Sequence, residues 1–516
     1  MSVVPVLAAA EAAEWDRRAR EDSRIPSRVL MEAAGRAVAL EISRRYGGRL
    51  RDGVLLVCGR GNNGGDGWVA ARALAALGVS VTVCPLPGEV SPDNGANRAL
   101  ALAHGIREVG LEDHWGGQGV VVDAVLGTGS AGSPRGDAAR AVERIMKVGA
   151  PVVAVDGPTG LDLSTGEVHA PCVRAGMTVS FGSFRRGHLL QRTVCGAIVA
   201  VEIGFPPADP SWPGVVTDAW LSEVLAPFSA EMHKGDRGKV LVAGGAAGMA
   251  GAAVFASRAA LRSGAGLARL VASEATVSSA QASSPEVMCV ASALGTPLEP
   301  ECLEAIEWAD AVVLGCGLGR GAARAGFARA VLEAARQVVL DADGLMAFAG
   351  AAAELRERCA GKRVLLTPHK GEFAALFPDL AERARRDPFG AAAAAADRVD
   401  QAVLLKGVPT VCAAPGLPPL VSASGNPGLA TGGTGDVLSG MAAVWLARGA
   451  PPQVAGAAAA HVHGRAAEDV ARHRSVRSLR PDDLLGVLSP LWRELAEAKH
   501  DIELPVLARL EPPEVR

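Results

Sequence analysis

Aromatic residues make up only 4% of this 516-residue chain, and tyrosine occurs once. With few rings and 62 glycines, many loops and close backbone approaches are expected. No excess of positive charge is present: the formal balance is −3, which gives no electrostatic footprint for nucleic acid or an anionic membrane. The nine cysteines include no Cys-x-x-Cys pair and read as reduced thiols of a cytoplasmic protein. The start, Met-Ser-Val-Val-Pro-Val-Leu, has neither the basic residues nor the sustained apolar run of a secretory signal. Apolar runs elsewhere are broken by glycine or charge, so no membrane span is expected. Lysine is scarce too. Only Lys147, Lys234, Lys239, Lys362, Lys370, Lys406 and Lys499 occur, so Lys234, Lys370 and Lys406, which lie inside glycine-rich motifs, carry extra weight.

What is present describes an ordinary globular chain, 49% hydrophobic and 21% charged, long enough for two to four domains. Short β-branched runs alternate with alanine-rich helical stretches. The runs 54–58, 79–84, 119–125, 151–155, 177–181 and 197–203 read as strands, several of them apolar throughout, as in buried parallel sheets. Residues 30–42 have helical spacing. The proline cluster of 205–214 marks a boundary, and a second set of strands follows at 240–243, 268–271, 311–314, 338–340, 363–366 and 403–406. The expected fold class is α/β, with one doubly wound unit over 1–215 and a second α/β unit over 225–498. The tail after Lys499 reads as loosely held.

Cys58-Gly-Arg-Gly-Asn-Asn-Gly-Gly-Asp-Gly67 follows a strand and precedes a helix expected from Trp68. Gly59-Arg-Gly-Asn-Asn-Gly64 has the spacing Gly-x-Gly-x-x-Gly, a weak signal by itself, and the loop is not a Walker loop, so the motif does not establish a standard dinucleotide site. Two later strands end in Asp123-Ala-Val-Leu-Gly-Thr-Gly129 and Asp156-Gly-Pro-Thr-Gly-Leu-Asp162. Each aspartate alone would pass for a helix cap. Three acidic tips bracketed by glycine instead place carboxylates in one crevice at the strand ends. Asn63, Asp123 and Thr159 offer an oxygen-only set for a hard cation, which leaves Asp156 free as acid or base.

Gly425-Asn-Pro-Gly-Leu-Ala-Thr-Gly-Gly-Thr-Gly-Asp436 runs into an apolar helix. Glycine amides and a helix N-terminus form an anion cradle, and a carboxylate inside it suits phosphoryl transfer to a hydroxyl, with Asp436 taking the proton. Lys406, at a strand tip before Gly407, is placed to reach a nucleotide phosphate. His369, in Thr367-Pro-His-Lys-Gly-Glu372, either lines the acceptor pocket or is a structural hydrogen-bond partner. Glu372 either assists magnesium through water or caps a helix. His461 and His463 read as packing.

Gly61–Gly67, Asp123–Gly129 and Asp156–Gly160 resemble the NAD(P)H-hydrate epimerase family. His233–Gly238, Thr367–Glu372, Lys406–Thr410 and Gly425–Asp436 resemble the ADP-dependent NAD(P)H-hydrate dehydratase family. The order is that of the bacterial bifunctional NAD(P)H-hydrate repair enzymes. The resemblance implies a Rossmann-like N-terminal domain that interconverts the R and S epimers of NADHX and NADPHX. It also implies a ribokinase-like C-terminal domain that dehydrates the S form at the expense of ADP. Carried over, hydrate would meet Asn62, Asn63, Gly64, Gly65, Asp66, Gly127, Thr128, Gly129, Ser130, Ala131, Gly132, Ser133 and Asp156 in the epimerase. Potassium would sit on Asn63, Asp123 and Thr159. In the dehydratase, hydrate would meet Ala252, Gly317, His369 and Asp436, and ADP with magnesium would meet Lys406, Gly407, Val408, Pro409, Thr410 and Gly435. Asp156 and Asp436 would be the catalytic groups, in a homo-oligomer.

The chain departs from the family pattern at a few positions. Thr159 stands for serine, Arg185 for lysine, Lys370 for proline and Met346 for asparagine. A guanidinium does not release a proton near neutral pH, which removes any acid–base role at position 185. The alternative reading is a ribokinase-like kinase of a small hydroxylated metabolite, with a non-catalytic N-terminal binding or interaction module.

Overall fold

Strands that are apolar at every position need cover on both faces, and Val54–Cys58, Val152–Val155 and Ala197–Val201 are buried along their whole length. The computed structural model describes residues 3–497 and 505–512. It divides into two units, one formed by Val4–Trp212 with the tail strand Val506–Leu510, the other from Pro213 onward.

In the first unit the sheet runs Val506–Leu510, Ala197–Val201, Met177–Phe181, Val152–Val155, Val120–Ala124, Val54–Cys58, Val81–Pro85, Arg107–Glu108. All pairs are parallel except the first. From Val54–Cys58 the chain winds outward one way and then returns to the other side at Val120–Ala124. The crevice between these two strands is therefore the switch point where α/β sheets bind ligands. The backbones touch there: a Cβ on Gly59 would lie 1.9 Å from the Val125 carbonyl oxygen.

Two expectations are corrected in this unit. The helix opens at Asn62, not Trp68, and spans Asn62–Ala76. Gly64 and Gly67 are therefore helical, and they are small because a Cβ would strike the Gly59 carbonyl oxygen (2.0 Å) and the Cys58 Sγ (2.7 Å). The tail is not loose either. Val506–Leu510 pairs antiparallel with Ala197–Val201, Arg509 pairs with the fully buried Glu41, and Arg192 donates to the Glu511 carbonyl. Lys499 lies outside the described residues.

The second unit orders its strands Met288–Ala291, Leu267–Ala272, Lys239–Ala243, Ala311–Leu314, Gln337–Leu340, Arg363–Leu366, Ala402–Leu405, Thr410–Ala414, Leu417–Ser422, Gly214–Val215. The first seven are parallel, and the hairpin of Thr410–Ala414 and Leu417–Ser422 is antiparallel. Pro418 and Pro419 hid the second hairpin strand from the sequence reading, since proline argues against a ladder position. Helices Ala250–Arg262, Thr434–Ala447 and Pro452–His473 contribute to the core around Trp220 and Met441. Thr434–Ala447 is buried almost all round, as its apolar run demands. No described helix is long and apolar enough to cross a membrane.

Candidate active sites

A cavity of about 520 Å³ opens at the switch point of the first unit. Asn62, Asn63, Asp66, Gly127, Thr128, Gly129, Ser130 and Asp156 line it, with Met31 and Phe205 among the apolar walls. Gly64 and Gly65 lie beneath it, packed on Gly59 and Met31, and Ala131, Gly132 and Ser133 are outside its lining.

Asp156 sits at its strand tip with φ +64, a left-handed conformation that a non-glycine residue holds only when its surroundings over-determine it. Thr128 donates twice to its Oδ2, from the backbone N–H at 2.8 Å and from the hydroxyl. Arg185 Nη2 lies 3.1 Å from Oδ1. Asp156 is thus not free, as the sequence suggested, but half of a buried ion pair. Burial raises its pKa, but the Arg185 charge and the Thr128 donors outweigh that and hold the carboxyl below its ordinary range. Asp66 is the opposite case. Burial first, then the charge of Asp156, pushes it well above the carboxylate range. One cavity therefore holds two carboxyl groups whose pKa values are pushed in opposite directions.

Asp123 is fully buried and accepts from the Thr159 N–H and hydroxyl, both at 2.8 Å, and from Val125 N–H at 3.2 Å. Burial lifts its pKa to about 6 against these donors. Both amide atoms of Asn63 are buried without a hydrogen-bond partner. A buried carboxylate lacking a cationic partner among the described residues, an orphaned amide oxygen and a hydroxyl are a donor set that fits potassium. The glycine loop itself is pinned by Asn94, whose Nδ2 donates to the carbonyls of Gly59 (2.9 Å) and Gly61 (2.7 Å). Asn94 lies on a separate helix with no motif around it, and sequence reading missed it.

In the second unit, strand tips bring Lys406 Nζ 2.9 Å from Asp341 Oδ1 and 4.0 Å from Glu372. Ser439, in the helix that Asp436 opens, donates to Asp341 Oδ2 at 2.7 Å. Asp341 thus ties Lys406 to that helix. A Cβ on Gly435 would lie 3.6 Å from Lys406 Nζ, so loop and lysine face one space. Burial, then the charge of Asp341, lifts Asp436 to about 6. Cys316 Sγ and carboxylate oxygens of Asp341 and Asp436 lie within 4.8 Å of one another. Neither Asp341, Ser439 nor Cys316 was assigned a role from sequence; the signals were the strand tips Leu314-Gly-Cys-Gly-Leu-Gly319 and Asp341-Ala-Asp343, and Ala342 in the second has positive φ.

Ala252 and Gly317 meet, a Cβ on Gly317 falling 3.0 Å from that of Ala252. The turn of Lys406–Thr410 leaves Val408 68% exposed, an uncovered apolar surface beside Lys406. His369 caps the helix Lys370–Leu376: its Nδ1 accepts from Gly371 N–H at 2.9 Å, and Glu372 accepts from His369 N–H at 2.9 Å. Of the two readings of each, the capping one describes the contacts. Asp341 is committed to Lys406 and Ser439, Glu372 to His369, and the remaining group near Asp436 is a thiol. This set fits no dedicated magnesium site; the nucleotide's own phosphates would be the ion's main ligands.

Residues 240–489 match the NAD(P)H-hydrate dehydratase family, and residues 27–187 match the family described as YjeF-related protein N-terminus. The bifunctional NAD(P)H-hydrate repair enzyme of Moorella thermoacetica is 34% identical over 98% of this chain and 99% of its own. That of Escherichia coli is 33% identical over 87% and 86%. A ribokinase-like superfamily protein from Enterococcus faecalis shares the fold of the second unit, with TM-score 0.50 and 24% identity over 55% of this chain and 97% of that one. With both family matches and relatives of this identity over nearly the whole chain, the chain belongs to the family of bifunctional NAD(P)H-hydrate repair enzymes.

Proposed function

We propose that this chain returns hydrated nicotinamide cofactors to use in two steps, epimerising R and S NAD(P)HX in the N-terminal unit and dehydrating the S form with ADP in the C-terminal unit. The observation that carries the reading is the placing of the carboxyls: Asp66 and Asp156 line one cavity with Thr128 and Arg185, and Asp436 stands beside Asp341 and a glycine cradle that faces Lys406 in the other.

At the first site the reacting carbon, C6, bears a hydroxyl and the ring nitrogen. The C6–O bond breaks as the nitrogen lone pair moves in, the departing hydroxyl takes a proton from an acid, and water returns to either face while a base takes its proton. Asp66 and Asp156 supply the acid and the base. Potassium on Asn63, Asp123 and Thr159 would offset the buried charge of Asp123 and fix the 123–127 turn.

At the second site Asp436 takes the C6 hydroxyl proton as the oxygen attacks the β-phosphorus of ADP, and AMP leaves. Lys406 and the amides of the 432–436 loop hold the phosphate charge. The C6–O bond then breaks with its electron pair leaving on phosphate, loss of a C5 proton restores the ring double bond, and NAD(P)H is released.

The products test this against a small-metabolite kinase. S-NADHX with ADP and magnesium should yield NADH, AMP and free phosphate in equal amounts; a stable phosphorylated product would favour the kinase. Asp156→Asn should abolish epimerisation while sparing dehydration of the S form, and an Asp156→Asn protein that still equilibrates R and S removes Asp156 from the mechanism.

A further inference from the structure

A groove of about 1040 Å³ lies where the parallel strands of the second unit begin, at the opposite end of its sheet from Lys406. Segment 224–228, the C-terminal ends of helices Ala250–Arg262 and Thr434–Ala447, and the last turns of helix Pro481–Glu497 form its walls. Its lining includes Arg237, Arg262, Arg448 and Arg493, and no aspartate or glutamate. The whole chain carries 55 acidic residues against 52 basic ones, so a groove with one sign only is a local departure. Among the described residues none of the four arginines has a carboxylate partner.

Two of these charges converge, while Arg262 and Arg493 stand exposed at the rim. Arg237 and Arg448 both stack on Phe228, their guanidinium carbons 4.8 and 4.5 Å from the ring centroid. Burial, with the like charge of Arg237, lowers the pKa of Arg448. Arg237 Nε and Ser263 Oγ are buried with no hydrogen-bond partner. Helix C-termini relieve part of the repulsion, and Arg448 donates to the Ala226 carbonyl at 3.0 Å. Two helix ends supply about half a negative charge each, against four full positive ones. Trp445 and Trp492, with ring centroids 6.5 Å apart, complete the walls with flat apolar surface.

We propose that this groove is a second ligand site of the C-terminal unit, taking a small molecule that joins phosphate groups to a flat ring, the chemistry of a nucleoside polyphosphate. Guanidiniums bind phosphate oxygens in bidentate fashion, and the half-buried Trp492, backed by Trp445, offers flat surface for a ring. The volume is at the upper end of ligand cavities, roughly 300–1,000 Å³. This site is separate from the nucleotide position at Lys406 and Asp436, and the proposal stands whichever reaction that position performs. Helix Thr434–Ala447 carries Asp436 in its first turn and reaches the groove with its last, about 15 Å further along its axis.

Equilibrium dialysis of the full-length protein with ATP tests it. Wild type should hold one more ATP per chain than R262E/R493E, whose altered side chains are both exposed, while the variant keeps wild-type dehydration at saturating ADP. Pyrophosphate should compete at this site more weakly than ATP, and 5-fluorotryptophan signals of Trp445 and Trp492 should shift with ATP in wild type and not in the variant. Equal ATP stoichiometry in the two proteins would overturn the site, and pyrophosphate binding as tightly as ATP would overturn the ring. If the double variant folds poorly, R493E alone must still weaken the extra ATP at least several-fold; unchanged binding there overturns the proposal as well.

Discussion

The guanidinium of Arg185 stands 3.1 Å from the carboxylate of Asp156, with both residues buried and the cavity on one side of them. At a position where the family pattern commonly has lysine, the guanidinium does not release a proton near neutral pH; its charge instead lowers the pKa of Asp156.

Removing it should therefore act through Asp156. Arg185→Ala leaves a buried carboxylate unpaired, which costs about 3–5 kcal/mol and raises the Asp156 pKa. Because folding now lowers that pKa, the pair stabilises the protein above the unfolded carboxylate range and loses its contribution as pH falls through the folded value. The variant should lose epimerisation at neutral pH and recover part of it at higher pH, whereas Arg185→Lys should retain most of it. A pH profile of R-to-S conversion checks this, and an unshifted acid limb in Arg185→Ala contradicts it.

Potassium dependence should follow Asp123. Asp123→Asn removes the charge that the cation offsets and should raise the potassium concentration for half-maximal epimerisation at least tenfold. Thr159→Ser keeps the hydroxyl and should change it only a few-fold. Titrating potassium against a constant ionic strength of tetramethylammonium reads both.

Asp436 should be a site where activity and stability oppose each other. Folding raises its pKa to about 6, so the folded state holds the proton more tightly than the unfolded chain, and stability falls as pH rises from about 4 to 6. Asp436→Asn should remove that penalty, worth about 1–3 kcal/mol, and unfold at a higher temperature at pH 7 while losing dehydration. The loss of wild-type dehydration on acidification should centre near pH 6. Calorimetry of the C-terminal transition at pH 5 and pH 7 checks the stability half: the gain should shrink at the lower pH.

The tail strand gives a separate prediction. Ending the chain at 497 strips the edge from Ala197–Val201 and leaves the buried Glu41 without Arg509. Epimerisation should become heat-labile while dehydration keeps its wild-type temperature profile. A truncated protein with unchanged epimerase stability would make the strand dispensable.

The sheets were legible because several of their strands are apolar throughout and the rest are rich in β-branched or other apolar residues, and Val54–Cys58, Met177–Phe181, Ala311–Leu314 and Arg363–Leu366 stand where the pattern places them. Loops that act through backbone, 59–67 and 425–436, were legible as glycine motifs. Side chains that act by holding another side chain were not. Asn94 sits on an element with no local signature, Asp341 showed only as a strand tip, and only the tertiary fold brings Ser439 to Asp341 across 98 residues. The tail strand was missed for the opposite reason: it is short, half-exposed and follows a polar stretch, and its partner Ala197–Val201 supplies most of the pattern.

The most direct test of the two-site account is the extent of conversion when an equilibrated mixture of R- and S-NADHX is given to the wild-type protein with ADP, magnesium and potassium, followed by NADH absorbance. Both active sites together predict complete conversion of the mixture. Conversion that stops when the S epimer is spent would leave a dehydratase with a silent N-terminal unit and contradict the role given to Asp156 and Asp66.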